Sequence, residues 1–173
     1  MDFVVRMLVD PTLFRQQAYV AGRWVASSSG ETISVKNPFD RTEIGQVPAC
    51  TANQVDNAIG TAKTAQTLWA RLPDQERSDR LCAWYDLIIE NQDDLARIMT
   101  LEQGKPLSEA RAEILYAASF VRWYGEEARR LNGHVMRPDE SRRVIVLKQP
   151  VGVTAAITPW NFPAAMITRK AAP

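Results

Sequence analysis

The feature that most constrains the fold is an apolar run near the carboxyl end of the chain, Val151–Ile157, which lies between Pro150 and Pro159. The run is rich in small and β-branched residues, carries no charge and has no alternation of polar and apolar positions. This pattern is typical of a strand that is buried on both faces, as in a parallel sheet. The sequence therefore predicts an α/β fold in which residues 151–157 form a parallel strand.

A rigid turn follows the predicted strand, and we call its six residues, Thr158–Pro163 (Thr-Pro-Trp-Asn-Phe-Pro), the proline corner. Each proline fixes its own φ and pushes the preceding residue toward extended backbone. Trp160 and Asn161 are therefore displayed between two fixed points. Ligands of open α/β sheets bind at the carboxyl ends of the strands, so this corner is a candidate binding site. An asparagine here can also serve only its own turn, by bonding nearby backbone.

The proline corner resembles a signature of the aldehyde dehydrogenase superfamily, which has the same Pro-Trp-Asn-Phe-Pro sequence at residues 159–163. The flanking stretches Lys148–Gly152 and Ala164–Lys170 are similar to the succinate-semialdehyde dehydrogenase branch of that family. The stretch Thr100–Leu107 is also similar to the family, where it is a structural corner between two helices. The resemblance runs from about Leu13 to the last residue and covers only the amino-terminal part of the family's longer chain.

The resemblance implies an α/β chain that is the incomplete amino-terminal part of the aldehyde dehydrogenase fold. Four segments are expected: a loose leader (1–12), a β-rich arm with the helices of the cofactor domain (13–131), a strand of the oligomerisation arm (132–150), and the start of the dinucleotide-binding sheet (151–173).

Local patterns predict the elements inside these segments. They are a hairpin over Ala18–Val25, a strand at Thr32–Val35, a capping box at Thr51–Gln54, a helix stop at Gly104–Pro106, a strand at Arg142–Lys148 and a helix at Ala164–Lys170. The helix that the capping box opens carries an apolar face from Val55 to Trp69, which we expect to be part of the core.

The family's reaction is the oxidation of an aldehyde to an acid, with NAD or NADP as the cofactor. A cysteine thiolate attacks the carbonyl to form a tetrahedral oxyanion, hydride passes to the cofactor, and water releases the thioester. By resemblance, Asn161 donates to the oxyanion, and Trp160 and Asn161 line the cofactor cleft. Arg169 matches a position that contacts the substrate carboxylate, although it can equally be a solvated arginine on a helix face. The expected substrate is succinate semialdehyde, with glutarate semialdehyde as an alternative.

Neither cysteine fits the nucleophile, because neither Cys50 nor Cys82 has an electropositive neighbourhood or a base in its sequence context. By resemblance, the family's cysteine and its glutamate base lie downstream of the residues matched here, so we expect this polypeptide to be inactive alone. The chain has no G-x-G-x-x-G sequence either, but the family's cofactor cleft does not rely on one. The predicted strand 151–157 has no partner strand here and would leave apolar surface exposed, so we also expect partial disorder or aggregation around residues 142–173. The alternative is a non-catalytic module that pairs with intact subunits through residues 142–149.

The composition makes several partners improbable. The net charge is +1, from 21 basic and 20 acidic residues, which gives no reason to expect a nucleic acid or an anionic membrane.

The one histidine, His134, has no metal-ligating neighbours in sequence, so no metal is expected, and it is interpreted as a surface residue just past a helix end. Residues 1–6 carry an early acid and lack a long apolar core, so they are a poor match to a secretory signal. A cytoplasmic location is expected, and the resemblance implies a homo-oligomer.

Overall fold

The computed structural model describes residues 2–173, which form helices and short antiparallel strands. The helices are α1 (Asp2–Met7), α2 (Ala52–Trp69), α3 (Asp74–Glu90), α4 (Gln92–Gln103), α5 (Leu107–Glu127) and α6 (Ala165–Ala171). The strands are β1 (Ala18–Val20), β2 (Arg23–Val25), β3 (Thr32–Lys36), β4 (Glu43–Pro48), β5 (His134–Met136) and β6 (Val144–Val146). They pair as three hairpins, β1–β2, β3–β4 and β5–β6.

The prediction of a loose leader over residues 1–12 is wrong for the residues that the structure describes, and Met1 lies outside them. Residues 2–7 form α1, and Val4 on that helix is only 1% exposed. Val4 packs with Ile44 of β4 and Leu101 of α4 in a small second core. The sequence signal was weak because one helical turn gives too few apolar positions to establish a period.

The amino-terminal hairpins follow the predicted turn chemistry. The β1–β2 hairpin turns at Ala21 (φ 54°) and Gly22 (φ 78°), a pair of left-handed residues that suits a two-residue hairpin. The strand predicted at 32–35 is confirmed as β3. Its partner β4 was not predicted, since Gly45 and Pro48 are poor strand formers.

Helices α3–α6 form the main core. Asn91 lies between α3 and α4, and Gly104 ends α4 in the left-handed conformation (φ 78°), at the predicted helix stop. The buried apolar residues of this core are Ile88, Ala96, Met99, Ala110, Ile114, Ala118, Val121 and Ala172. Helix α6, predicted at 164–170, is therefore fixed against α5 by packing.

The apolar face of α2 is not part of the core, which corrects the sequence-based expectation. The capping box at its start is confirmed, with the Thr51 N–H donating to Gln54 Oε1 at 3.1 Å. None of the residues of α2 is buried, however, and Val55 and Ile59 are about half exposed. The helical period was correct, but a period alone does not say whether a partner surface lies in the same polypeptide.

The parallel strand predicted at 151–157 is not formed. These residues have no regular structure, and Val151 and Ile157 are 92% and 99% exposed. A parallel strand needs a hydrogen-bonded neighbour and cover on both faces, and the hairpins of the described chain provide neither. The predicted strand at 142–148 is shorter, as β6, and pairs with β5. His134 is exposed as expected and lies in β5, four residues after the end of the 3-10 helix Ala128–Arg130 that continues α5.

Asp94 joins the amino-terminal segment to the helical core. Its side chain is 5% exposed, and its two oxygens accept from the Asp10 N–H at 2.8 Å and from an Arg97 guanidinium nitrogen at 2.7 Å. Burial alone would raise the pKa of the Asp94 carboxyl, but the backbone N–H groups of Asp10 and Val9, together with Arg97, lower it below its ordinary value. The carboxylate is therefore the form that the fold stabilises.

Replacing Asp94 with Asn is expected to lower the free energy of unfolding by about 1–3 kcal/mol at pH 7, because a buried charge-assisted contact is lost. Because the folded-state pKa is lowered, the contribution of the carboxylate is present above its unfolded-state pKa of about 3.9 and disappears as the pH falls through the folded-state pKa. Urea unfolding between pH 7 and pH 2.5 should therefore show the two proteins converging in acid.

Asp93→Asn is the matched control for this experiment. Asp93 is the preceding residue and pairs with Arg111 at 2.7 Å, but its side chain is 58% exposed, and an exposed pair contributes about 0–1 kcal/mol. Equal losses for the two variants, or a loss for Asp94→Asn that does not change with pH, would contradict the role given to Asp94.

Candidate active-site corner

The site is built where the α4–α5 connection meets the proline corner. Gly104 reverses the chain after α4, and an added Cβ at this glycine would lie 2.9 Å from Pro38 Cγ in the β3–β4 turn. Only glycine adopts φ 78° without strain and leaves room for Pro38. The reversal brings Gln103 and Lys105, on either side of Gly104, next to the proline corner.

Three side chains hold the backbone of the proline corner and of the two residues that follow it. The carbonyl oxygen of Asn161 accepts from Lys105 Nζ at 3.0 Å and from Gln103 Nε2 at 3.3 Å. Glu113 Oε1, on α5, accepts from the N–H groups of Ala164 and Ala165 at 3.0 and 3.3 Å. The chain is thus held on both sides of Pro163, at Asn161 and at Ala164–Ala165.

Lys105 and Glu113 also form an ion pair with each other that is shielded from water. The side chain of Lys105 is 10% exposed and that of Glu113 is 1% exposed. Lys105 Nζ lies 4.3 Å from the centroid of the Phe162 ring, within the range of a cation–π contact. Both charged groups are therefore fully engaged, as buried charges must be.

The side-chain amide of Asn161 has no hydrogen-bond partner among residues 2–173, although the backbone of the same residue is fixed. The residue is exposed. An asparagine that served only its own turn would bond nearby backbone, and the structure contains no such bond. The amide NH₂ is therefore available to a ligand.

Trp160 and Arg169 occupy different surroundings. The indole of Trp160 is 79% exposed beside Asn161, so it offers a flat apolar surface of the kind that could line a cofactor cleft. Arg169 lies on α6, and its guanidinium carbon is 5.7 Å from the centroid of the Phe120 ring on α5. The sequence thus brings Trp160 and Asn161 together, whereas Arg169 contacts the face of α5.

The cysteines are partly buried and unbridged. Cys82 is a packing residue, because its sulfur lies 3.3 Å from the position that a Cβ at Gly125 would occupy, at the contact of α3 with α5. Across the described residues, no group of three or more His, Cys, Asp or Glu side chains is arranged to hold a metal ion. No helix in residues 2–173 has the length and hydropathy that a membrane span requires.

Comparison with known proteins decides the family. The sequence model described as "Aldehyde dehydrogenase family" matches residues 24–173. The chain belongs to the aldehyde dehydrogenase family. It is 57% identical over 169 residues to a glutarate-semialdehyde dehydrogenase of Pseudomonas aeruginosa, and 53% identical over 167 residues to the succinate-semialdehyde dehydrogenase GabD of Escherichia coli. Each alignment covers 96% of this chain and 35% of the relative, so the chain spans about a third of the length of these relatives.

Solved structures agree with this assignment. An aldehyde dehydrogenase from Brucella melitensis biovar abortus superposes with a TM-score of 0.93 at 54% identity. The superposition covers 95% of this chain and 34% of the Brucella chain. A succinate-semialdehyde dehydrogenase from Burkholderia pseudomallei has a TM-score of 0.91 at 49% identity. The prediction of a partial aldehyde dehydrogenase fold, similar to the semialdehyde branch, is confirmed.

Two side chains of this chain are candidate contacts for a nicotinamide cofactor. Among the matched solved structures, an NADP-dependent glyceraldehyde-3-phosphate dehydrogenase of Bacillus halodurans is a complex with NADP, and PnpE is a complex with nicotinamide adenine dinucleotide. In this chain, Trp160 and the unpartnered Asn161 amide are the groups that could face such a cofactor. No glycine-rich phosphate loop is present in the sequence.

Sequence reasoning missed the three side chains that hold the proline corner. The available signal was Glu113, a carboxylate in the apolar stripe of α5 one residue before Ile114, at a position where a solvated residue is not expected. A charged residue in a core stripe predicts a buried partner, but the sequence does not say which cation provides it.

An alanine in the left-handed conformation costs about 1–2 kcal/mol. Replacing Gly104 with Ala is expected to lower the free energy of unfolding by more than this, because the new methyl group also meets Pro38. Gly30→Ala is the matched control, since Gly30 has φ 76° and nothing within 4 Å of the added Cβ. In thermal or urea unfolding, Gly104→Ala should be the more destabilised of the two, and adding Pro38→Ala should recover part of the difference. Equal losses at the two glycines would show that the contact with Pro38 is unimportant.

Proposed function

We propose that this chain forms the oxyanion-binding part of an NAD(P)-dependent semialdehyde dehydrogenase. The observation that carries the proposal is the side-chain amide of Asn161, which has a fixed backbone and no hydrogen-bond partner among the described residues. A preorganised donor of this kind stabilises negative charge that develops on a carbonyl oxygen during attack by a nucleophile. Bound NAD or NADP would accept the hydride from the aldehyde carbon.

The nature of the relatives supports a substrate that has an anionic group at the end opposite its aldehyde. The names of the relatives include glutarate-semialdehyde, succinate-semialdehyde and 3-sulfolactaldehyde dehydrogenases, and each of these substrates combines an aldehyde with a carboxylate or a sulfonate. We propose a four- or five-carbon semialdehyde, succinate or glutarate semialdehyde, as the substrate, with Arg169 as its carboxylate contact. A guanidinium suits this task because it can form two parallel hydrogen bonds to a carboxylate.

The homo-oligomer and the cytoplasmic location stay predictions. The exposed apolar residues of the β5–β6 hairpin, such as Ile145 at 67% exposure, favour pairing with another subunit, because an unpaired apolar edge promotes aggregation. Sedimentation of a chimera, in which residues 1–173 replace the aligned amino-terminal segment of the Escherichia coli relative, would test the homo-oligomer. Fractionation of the source cells would test the cytoplasmic location.

The catalytic test uses a chimera in which residues 1–173 replace the aligned amino-terminal segment of the Escherichia coli relative. The chimera is expected to form NADPH in the presence of succinate or glutarate semialdehyde, whereas this chain alone is expected to form none. Asn161→Ala should lower kcat of the chimera by about 10²–10³-fold, as the loss of one oxyanion donor does. Asn53→Ala, which removes an exposed amide from α2, is the control and should not change kcat. A chimera whose kcat is unchanged by Asn161→Ala would overturn the proposal.

Arg169→Met tests the substrate contact. Loss of a charge-assisted hydrogen bond costs about 1.5–3 kcal/mol, so kcat/KM for the preferred semialdehyde should fall by about 10–100-fold. For the uncharged aldehyde of equal length, butanal or pentanal, kcat/KM should change little, since it has no carboxylate. Lys170→Met removes the neighbouring cation on α6 and serves as the control. An equal loss for charged and uncharged aldehydes would assign Arg169 to the packing of α6 on Phe120.

A further inference from the structure

The α4–α5 connection does more than link two helices, because its side chains determine where the backbone of the proline corner lies. Lys105 and Gln103, on either side of Gly104, donate to the carbonyl oxygen of Asn161 in the corner. Glu113 of α5 accepts from the N–H groups of the two residues that follow the corner, Ala164 and Ala165. The prolines restrict their own φ and the backbone of the residue before each of them. They leave open the rotation of the whole corner relative to the rest of the domain, and external contacts must fix it.

Asn161 is held on its carbonyl side. Its carbonyl oxygen accepts from Lys105 Nζ and Gln103 Nε2, and two donors on one carbonyl fix the orientation of that peptide plane. The Asn161 side chain leaves the backbone at the Cα of the same residue. A rotation of the peptide plane would therefore displace the side-chain amide.

Glu113 holds the segment that follows. Its Oε1 accepts from the N–H groups of Ala164 and Ala165 at the beginning of α6, while its other oxygen pairs with Lys105. Carboxylates at the beginning of a helix are favoured by the unpaired N–H groups there. One buried carboxylate thus connects the start of α6 to the ammonium that holds Asn161.

We propose that Lys105 and Glu113 are positioning residues that hold the Asn161 amide at the developing oxyanion. This inference rests on the proposed function, since it gives the pair a catalytic effect only through Asn161. The burial of the pair supports the assignment, because removing two charges from water costs free energy. An apolar pair of the same volume often stabilises a fold better than a buried ion pair does. A pair whose remaining hydrogen-bonding capacity is directed at the proline corner fits a positioning role better than a purely stabilising one.

The kinetic test uses the chimera with Lys105→Met, which keeps the apolar stem and removes the ammonium. Misplacement of a catalytic group by about 1 Å can cost about 10²-fold in rate, so kcat should fall by about 10–100-fold while KM for the semialdehyde changes by less than about threefold. Glu113→Gln should act in the same direction. Glu126→Gln breaks the exposed pair between Glu126 and Arg122 on the same helix and is the control that should leave kcat unchanged.

A double-mutant cycle separates positioning from general stability. If Lys105 acts through Asn161, Lys105→Met should have almost no further effect on kcat in a protein that already carries Asn161→Ala. A full additional loss in that background would overturn the inference and leave the pair a stabilising role. If Lys105→Met alone leaves kcat unchanged while Asn161→Ala lowers it, the positioning role fails and the proposed function stands. If Asn161→Ala itself has no effect, it is the proposed function that fails.

A second measurement reports on the contact in this chain without any turnover. Amide hydrogen exchange by NMR in the 173-residue protein should show the N–H groups of Ala164 and Ala165 becoming at least about tenfold less protected in Glu113→Ala. The amide of Ala110 in the first turn of α5, which bonds to the Pro106 carbonyl oxygen, should be unchanged. Unchanged protection at residues 164 and 165 would overturn the placement of Glu113 in both the isolated chain and the chimera.

Discussion

The arrangement of the site depends on one buried ion pair, between Lys105 and Glu113. Each ion loses several kcal/mol of hydration on burial, and the attraction between them compensates only when the remaining donors and acceptors are also satisfied. Here they are satisfied by the carbonyl of Asn161, by the Phe162 ring and by two N–H groups at the start of α6. The pair is therefore stable only in the presence of the proline corner. By the same argument the position of the corner depends on the pair.

This dependence divides the chain into a packed part and an exposed part. From Asn161 onward the chain is tied to α5, with Ala165 and Ala172 buried. Immediately before it, residues 151–159 have no regular structure and the Ile157 side chain is almost fully exposed. The apolar face of α2 is exposed as well. These surfaces have the composition of a core, and exposed apolar area of this kind is unfavourable by about 25 cal/mol per Å², which favours a covering partner for both.

Sequence reasoning succeeded where a local pattern determines a local structure. The capping box at Thr51, the left-handed helix stop at Gly104 and the turn at Ala21–Gly22 depend on neighbouring residues only. It failed where the outcome depends on residues far away in the chain. The run 151–157 has the pattern of a buried strand, but strand formation needs neighbours. Lys105 and Glu113 could not be assigned to the site, since the contacts that define their role span 51–56 residues.

The contrast between the fixed backbone and the free amide of Asn161 is the physical basis of the proposed chemistry. A donor that already bonds within the protein would have to break that bond before it stabilised an oxyanion, and the cost would subtract from the gain in the transition state. A donor on a mobile loop would instead lose entropy when it became ordered. At Asn161 the carbonyl oxygen accepts both hydrogen bonds that hold the backbone, and the side-chain NH₂ donates none to the described residues. Separating the two tasks between backbone and side chain reduces both costs, because the backbone is already held when a ligand arrives and the amide has no bond to lose.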